Sequence, residues 1–287
     1  MWSSKDVYYI SDSTGILASN LGHALLCQFP ATNFYEERFP FVRTREQAKK
    51  TLGYILKQSA GRRPLIFSTI VKPELRKIFD TPEVEVFDVF AAFLDRLEGC
   101  LEAKAIGEPG FSHQAMDERA INRRVEAIQY CLSHDDGFKA HEFDEADVVL
   151  VGVSRAGKTP VSVYLATQMG LKAGNFPLTA EQLNEGRLPD TLVRNLKHVV
   201  GLATSAEILR AMREKRYPGS NYAKLVTCSQ ELHQAEAIFR QYRIPVVSSA
   251  GKSIEEIATQ VSQELGLSKK PETLAPASLP VTPRRDE

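Results

Sequence analysis

The chain has 287 residues, of which 43% are hydrophobic and 25% charged, and its 36 Lys and Arg residues balance its 36 Asp and Glu residues. This apolar fraction is typical of a globular protein with a sizeable core, and the neutral net charge argues against a non-specific nucleic-acid binder, which needs a basic excess. No apolar run reaches the roughly 18 residues of a membrane span, and residues 1–12 lack the pattern of a secretory signal. We therefore expect a cytoplasmic protein that binds neither nucleic acid nor membranes.

The first part of the chain alternates apolar strands with amphipathic helices. Residues 7–10 predict a strand, and a Ser- and Gly-containing loop at 11–15 leads from it into a helix. In chain order, the patterns predict helices at 16–29, 46–58 and 72–79, and strands at 39–42, 64–71 and 84–89. Strands that alternate with helices indicate a parallel sheet with helices on its faces.

A second alternating pattern follows a break near 107–112 and a predicted helix at 116–133. The patterns then predict strands at 147–153, 198–203 and 244–248, and helices at 158–169, 206–216, 229–242 and 253–265. We therefore predict an α/β protein of two halves with mainly parallel sheets. The predicted domains are an N-terminal α/β domain at 1–105, a helical connector at 106–145, a nucleotide-binding domain at 146–268 and a disordered Pro-rich tail at 269–287.

The strongest motif in the chain follows the apolar strand at 147–153. It matches the P-loop pattern Gly-x-x-x-x-Gly-Lys-Ser/Thr without a mismatch, and it precedes a predicted helix, as a P-loop must. Its residues are Gly152, Val153, Ser154, Arg155, Ala156, Gly157, Lys158 and Thr159. Successive backbone N–H groups of such a loop point into one concavity, and the start of the following helix adds partial positive charge. The motif predicts that the second half is a P-loop domain that binds a nucleotide.

Two side chains of the motif have predicted roles in phosphoryl transfer. Lys158 is expected to reach the terminal phosphate and to act as a catalytic residue. The hydroxyl of Thr159 is expected to hold Mg²⁺ against the phosphate oxygens. Pro160 agrees with this interpretation, because proline is tolerated in the first turn of a helix.

A P-loop enzyme usually needs a carboxylate near the phosphates, and no strand of the second half ends in a clear Asp. The candidates are Asp12, directly after the first predicted strand, and the pair Asp135 and Asp136, at the end of the helix before the P-loop domain. Each is a candidate general base or metal contact. The alternative is loop capping, which Asp performs routinely.

Four arginines offer a weaker signal. Arg155 lies inside the motif. Arg210, Arg213 and Arg216 cluster before a Pro-Gly loop, where their side chains could contact bound phosphate groups. The competing interpretation is that the cluster forms a solvent-exposed helix face.

These features occur together in one family, and the chain resembles the bacterial phosphoenolpyruvate synthetase regulatory proteins and, more distantly, the pyruvate, phosphate dikinase regulatory proteins. The resemblance spans about residues 7–268 and is most specific at Gly-Val-Ser-Arg-x-Gly-Lys-Thr-Pro, residues 152–160. Other matching segments are 9–15, 21–24, 28–30, 63–65, 134–137, 201–202, 222–223 and 253–258. Cys228, the segment 28–30 and Ile244-Pro245 favour the synthetase branch, whereas 246–250 departs from both branches.

The resemblance implies a bifunctional enzyme that acts on a protein. In one direction the β-phosphoryl of ADP passes to a threonine of phosphoenolpyruvate synthase, which leaves AMP and an inactive target. In the other direction inorganic phosphate attacks the phosphothreonine, which releases pyrophosphate and an active target. The expected ligands are Mg²⁺, ADP and inorganic phosphate. A homodimer is plausible but carries no sequence signal.

Three rival interpretations remain open. The target could be pyruvate, phosphate dikinase, or the chain could be an ATP-dependent P-loop kinase of a small metabolite. It could also be a non-catalytic nucleotide sensor, although the Asn-Lys-x-Asp element that recognises guanine is absent.

Overall fold

In the computed structural model, which describes residues 3–109 and 118–267, the chain forms two compact units that correspond to these two ranges. Each unit contains one four-stranded parallel sheet with helices interleaved along the chain. This confirms the predicted α/β fold in two halves. The predicted domain boundaries stay predictions, and the predicted tail at 269–287 lies outside the described residues.

Within residues 3–109, the first unit contains four strands and four helices. In chain order its elements are β1 (Ser3–Ser11), α1 (Ile16–Leu26), β2 (Thr32–Phe39), α2 (Arg45–Ser59), β3 (Leu65–Thr69), α3 (Pro73–Phe79), β4 (Glu85–Asp88) and α4 (Val89–Leu101). The strands lie in the order β2-β1-β3-β4 and are all parallel. Val7 and Ile10 of β1 and Ile66 of β3 are fully buried, so the core surrounds the two central strands.

The predicted strand at 39–42 is wrong, because the second strand is β2, which ends at Phe39. β2 is an edge strand and most of its residues are exposed, so its sequence lacks an apolar alternation. The apolar residues after it instead cross the end of β1. The N–H groups of Phe41 and Val42 donate to the carbonyl oxygens of Ser13 and Ser11 at 2.9 Å.

The second unit contains the remaining elements. They are α5 (Glu118–Ser133), β5 (Val148–Val153), α6 (Lys158–Tyr164), β6 (Ala173–Leu178), α7 (Ala180–Glu185), α8 (Asp190–Arg194), β7 (Val199–Ala203), α9 (Ala206–Glu214), α10 (Leu225–Tyr242), β8 (Val246–Ser248) and α11 (Ile254–Glu264). Short 3-10 turns occur at Ala140–Glu145, Leu196–His198 and Asn221–Ala223, and a π-helical turn, Leu165–Met169, continues α6. All six residues of β5 are buried, which explains its unbroken apolar sequence.

Besides β2, four elements carried no clear sequence signal, namely α4, β6, α7 and α8. β6 reads Ala-Gly-Asn-Phe-Pro-Leu, and Gly, Asn and Pro are depleted in strands. The structure places β6 at the edge of the sheet, where Pro177 is tolerated.

The second sheet has the order β6-β5-β7-β8 and is also parallel. The two sheets therefore share one strand order. In each, the first and third strands along the chain are central, and the second and fourth are at the edges. In such a sheet the chain runs to one side of the first strand and then crosses to the other side. Ligands of open α/β sheets bind in the crevice at this crossing, outside the carboxyl ends of the first and third strands. The topology therefore points to the ends of β1 and β3, and of β5 and β7.

Among the described residues, no helix combines the length and apolar character that crossing a bilayer requires.

Candidate functional site

The Gly-rich motif forms the turn between β5 and α6. Gly157 has φ +98° and Arg155 has φ +75°, so the loop passes twice through the left-handed region. α6 then begins at Lys158, and no side chain caps the amide groups of its first turn. A helix start without its own acceptor leaves N–H donors available for an anion.

Gly152 lies on β5 against the backbone of β7. A Cβ at this position would meet the carbonyl oxygen of Leu202 at 2.5 Å, which is a backbone atom that cannot move aside cheaply. We expect Gly152→Ala to lower the free energy of unfolding by about 2 kcal/mol or more, measured by urea denaturation. Gly53→Ala in α2 is the control, because a Cβ there meets nothing within 4 Å. It should stabilise the protein by up to about 1 kcal/mol. Equal effects of the two substitutions would contradict this account.

Lys158 is buried against its own loop, with only 5% of the residue exposed. Its Nζ donates to the carbonyl oxygen of Val153 at 3.1 Å. Burial lowers the pKa of the Lys158 amine to about 8, although the charges of Asp136 and Asp135 act in the opposite direction. A buried ammonium group with one backbone acceptor is poorly solvated, so an incoming phosphate would be a favourable partner for it.

Thr159, Asp135 and Asn175 form a polar network beside Lys158. The Thr159 hydroxyl donates to Oδ1 of Asp135 at 3.0 Å, and Nδ2 of Asn175 donates to the same carboxylate oxygen. Asn175 is fully buried on β6, next to β5. Because Asn175 is held inside the sheet, it positions Asp135 opposite the first turn of α6.

The segment at 134–137 is attached to β6 by three further hydrogen bonds. The Asp136 N–H donates to Oδ1 of Asn175 at 3.1 Å, the Gly137 N–H donates to the Asn175 carbonyl at 2.8 Å, and the Asn175 N–H donates to the His134 carbonyl at 3.1 Å. The structure thus brings the predicted residues Asp135 and Asp136 to the Gly-rich motif.

Asp12, the third predicted carboxylate, belongs to the first unit. It lies directly after β1 and is 1% exposed, and its Oδ2 accepts from the Val71 N–H at 2.7 Å. Burial raises the pKa of the Asp12 carboxyl, whereas this hydrogen bond and the charges of Arg43 and Lys72 act to lower it. Its catalytic role stays a prediction.

The arginine cluster divides into two kinds of residue. Arg210 and Arg216 are exposed, as the solvent-exposed interpretation expects. That interpretation is wrong for Arg213, which is fully buried. Its Nη2 donates to the carbonyl of Ser154 at 3.2 Å and pairs with Glu231, and its guanidinium lies 3.9 Å from the centroid of the Tyr222 ring. Arg213 therefore contacts the backbone of the motif.

We expect Arg213→Ala to lower the free energy of unfolding by about 3–5 kcal/mol, because it leaves Glu231 without its partner and frees the Ser154 carbonyl. Arg210→Ala, on the exposed side of the same helix, should change it by less than about 0.5 kcal/mol. Chemical denaturation of both variants measures the difference. A small effect at Arg213 would show that the buried ion pair does not stabilise this loop.

The oxygen atoms of Thr159 and Asp135 fit a magnesium ion, which prefers hard oxygen ligands. Among residues 3–109 and 118–267, no group of three or more His, Cys, Asp or Glu side chains could hold a metal by itself. A magnesium ion at this site would therefore take most of its ligands from phosphate and water, as is usual for this metal.

Asn175 and the buried position of Arg213 were not predicted from the sequence. The only signal for Asn175 was an Asn inside an apolar stretch before a Pro. The signal for Arg213 was its spacing from Leu209, four residues earlier, which places both side chains on the same face of α9.

A family model described as kinase/pyrophosphorylase matches residues 7–262. A protein of Desulfotalea psychrophila is 45% identical over 265 residues, which cover 92% of this chain and 97% of that protein. Proteins of Alkalilimnicola ehrlichii and Laribacter hongkongensis are each 42% identical, and the alignments cover 93% of this chain and 97% and 98% of those proteins. All three carry the provisional name phosphoenolpyruvate synthase regulatory protein.

Proposed function

The chain belongs to the kinase/pyrophosphorylase family, and on this premise we propose that it is a bifunctional regulator of phosphoenolpyruvate synthase. It transfers the β-phosphoryl group of ADP to a threonine of the synthase, and it removes that group with inorganic phosphate to form pyrophosphate. The first reaction inactivates the target and the second restores it. The provisional names of the relatives support this choice of target.

One observation carries the proposal, namely the arrangement at the start of α6. The buried amine of Lys158 and the hydroxyl of Thr159 lie where a Gly-rich turn presents uncapped amide groups. Asp135 accepts a hydrogen bond from Thr159. This turn thus combines positive charge, backbone N–H donors and a carboxylate. Phosphoryl transfer requires these groups, because enzymes catalyse it mainly by positioning the reactants and stabilising charge.

In the kinase direction, the target threonine oxygen attacks the β-phosphorus of ADP. The bond between that phosphorus and the oxygen that bridges to the α-phosphate breaks, and AMP leaves. Lys158 and the amides at the start of α6 stabilise the charge on the transferring group. Magnesium, when bound, neutralises further phosphate charge.

In the pyrophosphorylase direction, an oxygen of inorganic phosphate attacks the phosphorus of the phosphothreonine. The bond from phosphorus to the threonine oxygen breaks, the threonine oxygen takes the proton that the attacking phosphate gives up, and pyrophosphate leaves. Both directions move a phosphoryl group between two oxygens, so the same cationic turn serves both.

We assign the two neighbouring carboxylates different tasks. Oδ1 of Asp135 accepts from Thr159 and Asn175, so this side chain orients the hydroxyl and contributes to the metal site. Asp136 is exposed, and its charge acts on the amine of Lys158. Asp136 is thus free to accept the proton of the incoming threonine.

The test is transfer of label from ADP. The purified chain is incubated with Mg²⁺, phosphoenolpyruvate synthase and ADP labelled at the β-phosphate, and peptides of the target are analysed by mass spectrometry. Labelled phosphothreonine with stoichiometric AMP is expected. Inorganic phosphate without ADP should then release labelled pyrophosphate.

Parallel reactions separate the alternatives. Transfer to pyruvate, phosphate dikinase but not to the synthase would change the target. Hydrolysis of ATP that rises with a small metabolite, with no modified protein, would replace the proposal by a metabolite kinase. Binding of nucleotide with no transfer to either enzyme would leave a nucleotide sensor.

A further inference from the structure

The loop at 11–15 of the first unit occupies the same topological position as the Gly-rich motif of the second. Each loop leaves the first strand of a sheet with the same strand order and enters the next helix. Each ends in a glycine of positive φ, +74° at Gly15 and +98° at Gly157. α1 and α6 both begin directly after that glycine, which supplies no side-chain cap, and in α1 the Ile16 N–H makes only a long contact of 3.5 Å with Oγ1 of Thr14.

A cavity of about 350 Å³ lies at this loop. Ser11, Asp12, Ser13, Thr14 and Gly15 form one end of it, together with Thr69 at the end of β3. Its apolar wall consists of Leu17, Val71, Phe90, Leu94 and Ile106. The cavity is thus at the crossing point of the first sheet, where the topology predicts a ligand, and its volume is within the range of small-molecule pockets, roughly 300–1,000 Å³.

Thr69 provides independent evidence for a ligand in this cavity. It is only 4% exposed and lines the cavity. Among the described residues, no atom forms a hydrogen bond with its hydroxyl, and the hydroxyl oxygen is not sealed from solvent. Because no protein atom in the described part of the chain pairs with this oxygen and it lines the cavity, a polar ligand atom there would replace solvent as its hydrogen-bond partner.

The charges beside the loop favour an anion. A Cβ at Gly15 would lie 3.1 Å from Cγ and Cδ of Arg38, so that side chain packs against the loop. Nε of Arg43 donates to the carbonyl oxygen of Asp12 at 2.9 Å. One oxygen of the Asp12 carboxylate accepts from Val71. Glu108 also lines the cavity and pairs with Lys72 at 3.6 Å, so the cations Arg38, Arg43 and Lys72 outnumber the two carboxylates.

We propose that the first unit binds a small phosphate monoester with an apolar body. The phosphate contacts the uncapped start of α1 and the hydroxyl groups of Ser13, Thr14 and Thr69, and the body packs against Phe90 and Leu94. Ile16 and Leu17 stand where the second unit has Lys158 and Thr159, so this site has neither the amine for a second phosphate nor the hydroxyl for a metal. The site is therefore suited to one phosphate group. The proposal is independent of the function proposed for the second unit.

The experiment uses the full chain with Lys158→Met, which weakens phosphate binding at the second unit. Inorganic phosphate, phenyl phosphate and O-phosphothreonine are titrated separately into ¹⁵N-labelled protein, and the amide signals are followed by NMR. We expect the amides of residues 13–17 to shift in a saturable manner. Phenyl phosphate should bind about tenfold more tightly than inorganic phosphate, because its ring leaves water for the apolar wall.

Two further variants test the contact that Thr69 makes. Thr69→Val removes the hydroxyl with little change in volume and should weaken phenyl phosphate binding about tenfold. Thr81→Val is the matched control, because Thr81 lies in the same unit outside the cavity and its buried hydroxyl has no hydrogen-bond partner among the described residues. It should leave binding unchanged, and near-native amide spectra show that both variants fold.

Any of four results would overturn the proposal. Shifts confined to residues 152–159 would place phosphate binding in the second unit alone. Equal affinity for inorganic and phenyl phosphate would exclude the apolar wall from the site, and unchanged affinity in Thr69→Val would exclude the cavity. A preference for O-phosphothreonine over phenyl phosphate would replace the apolar body by a polar one and contradict the assigned ligand class.

Discussion

Replacing Lys158 by methionine is expected to reduce phosphoryl transfer in both directions by about a thousandfold, since it removes the cation beside the transferring group. The same change should stabilise the ligand-free protein at pH 7. Burial lowers the pKa of the amine from 10.5 to about 8, which corresponds to a cost of up to about 3 kcal/mol for the charged form. Loss of activity together with a gain in thermal stability is the expected signature of this residue.

The pH dependence of this stability difference has a definite sign. Below pH 8 the amine is protonated in both the folded and the unfolded chain, so the cost of burying the charge is present in full. Between pH 8 and 10.5 the folded chain releases this proton before the unfolded chain does, and the wild-type protein gains stability relative to Lys158→Met. Denaturant titrations of both proteins across this range measure the difference. A constant difference would contradict the lowered pKa.

Lys197→Ala is the matched control for Lys158. Lys197 is exposed and lies before the amino end of β7, whereas Lys158 lies at the carboxyl end of β5. Its removal should leave both activities and the stability unchanged. If the two variants lost activity to the same extent, a general effect of positive charge would replace the assigned role of Lys158.

Asp135→Asn is expected to lower both activities about a hundredfold with little change in stability. The amide oxygen of asparagine can still accept from the Thr159 hydroxyl, so the geometry persists, but the negative charge that supports a metal ion is lost. Steady-state assays over a range of Mg²⁺ concentration should show an increased requirement for the metal. This dependence separates a metal-supporting carboxylate from one that only caps a loop.

Asp144→Asn provides the comparison for this prediction. Asp144 is exposed in the turn Ala140–Glu145 of the same unit and belongs to no hydrogen-bond network that involves the motif. It should retain full activity at every metal concentration. Full activity of Asp135→Asn would instead leave Asp136 and Asp12 as the remaining candidates.

The fold class was predictable because apolar runs such as β5 are buried on both faces, and a fully buried strand must be apolar at every position. The edge strands β4 and β8 were predicted, at 84–89 and 244–248, whereas the edge strands β2 and β6 were not. β2 exposes Glu36 and Glu37, and β6 contains Gly174, Asn175 and Pro177, so neither has the periodicity that signals a strand. Their pairing with β1 and β5 compensates for their weak local preference.

The site was predictable to the extent that its chemistry is local. Eight consecutive residues carry the Gly-rich turn, and the left-handed φ of Gly157 is a requirement that a sequence motif can reveal. The partners of this turn come from distant parts of the chain. Asp135 is 24 residues from Thr159, and Arg213 is 59 residues from Ser154.

By itself, the sequence determined an alternating α/β chain with a cationic Gly-rich turn after a buried strand, because hydrophobic periodicity and backbone conformation are properties of neighbouring residues. The tertiary structure alone decided that Asn175 holds Asp135 against Thr159, that Arg213 supports the turn from inside the protein, and that both units share one strand order. These arrangements depend on which strands pair and which faces are covered. Such choices minimise the exposed apolar surface and the unpaired polar groups of a whole unit, and no short segment encodes them.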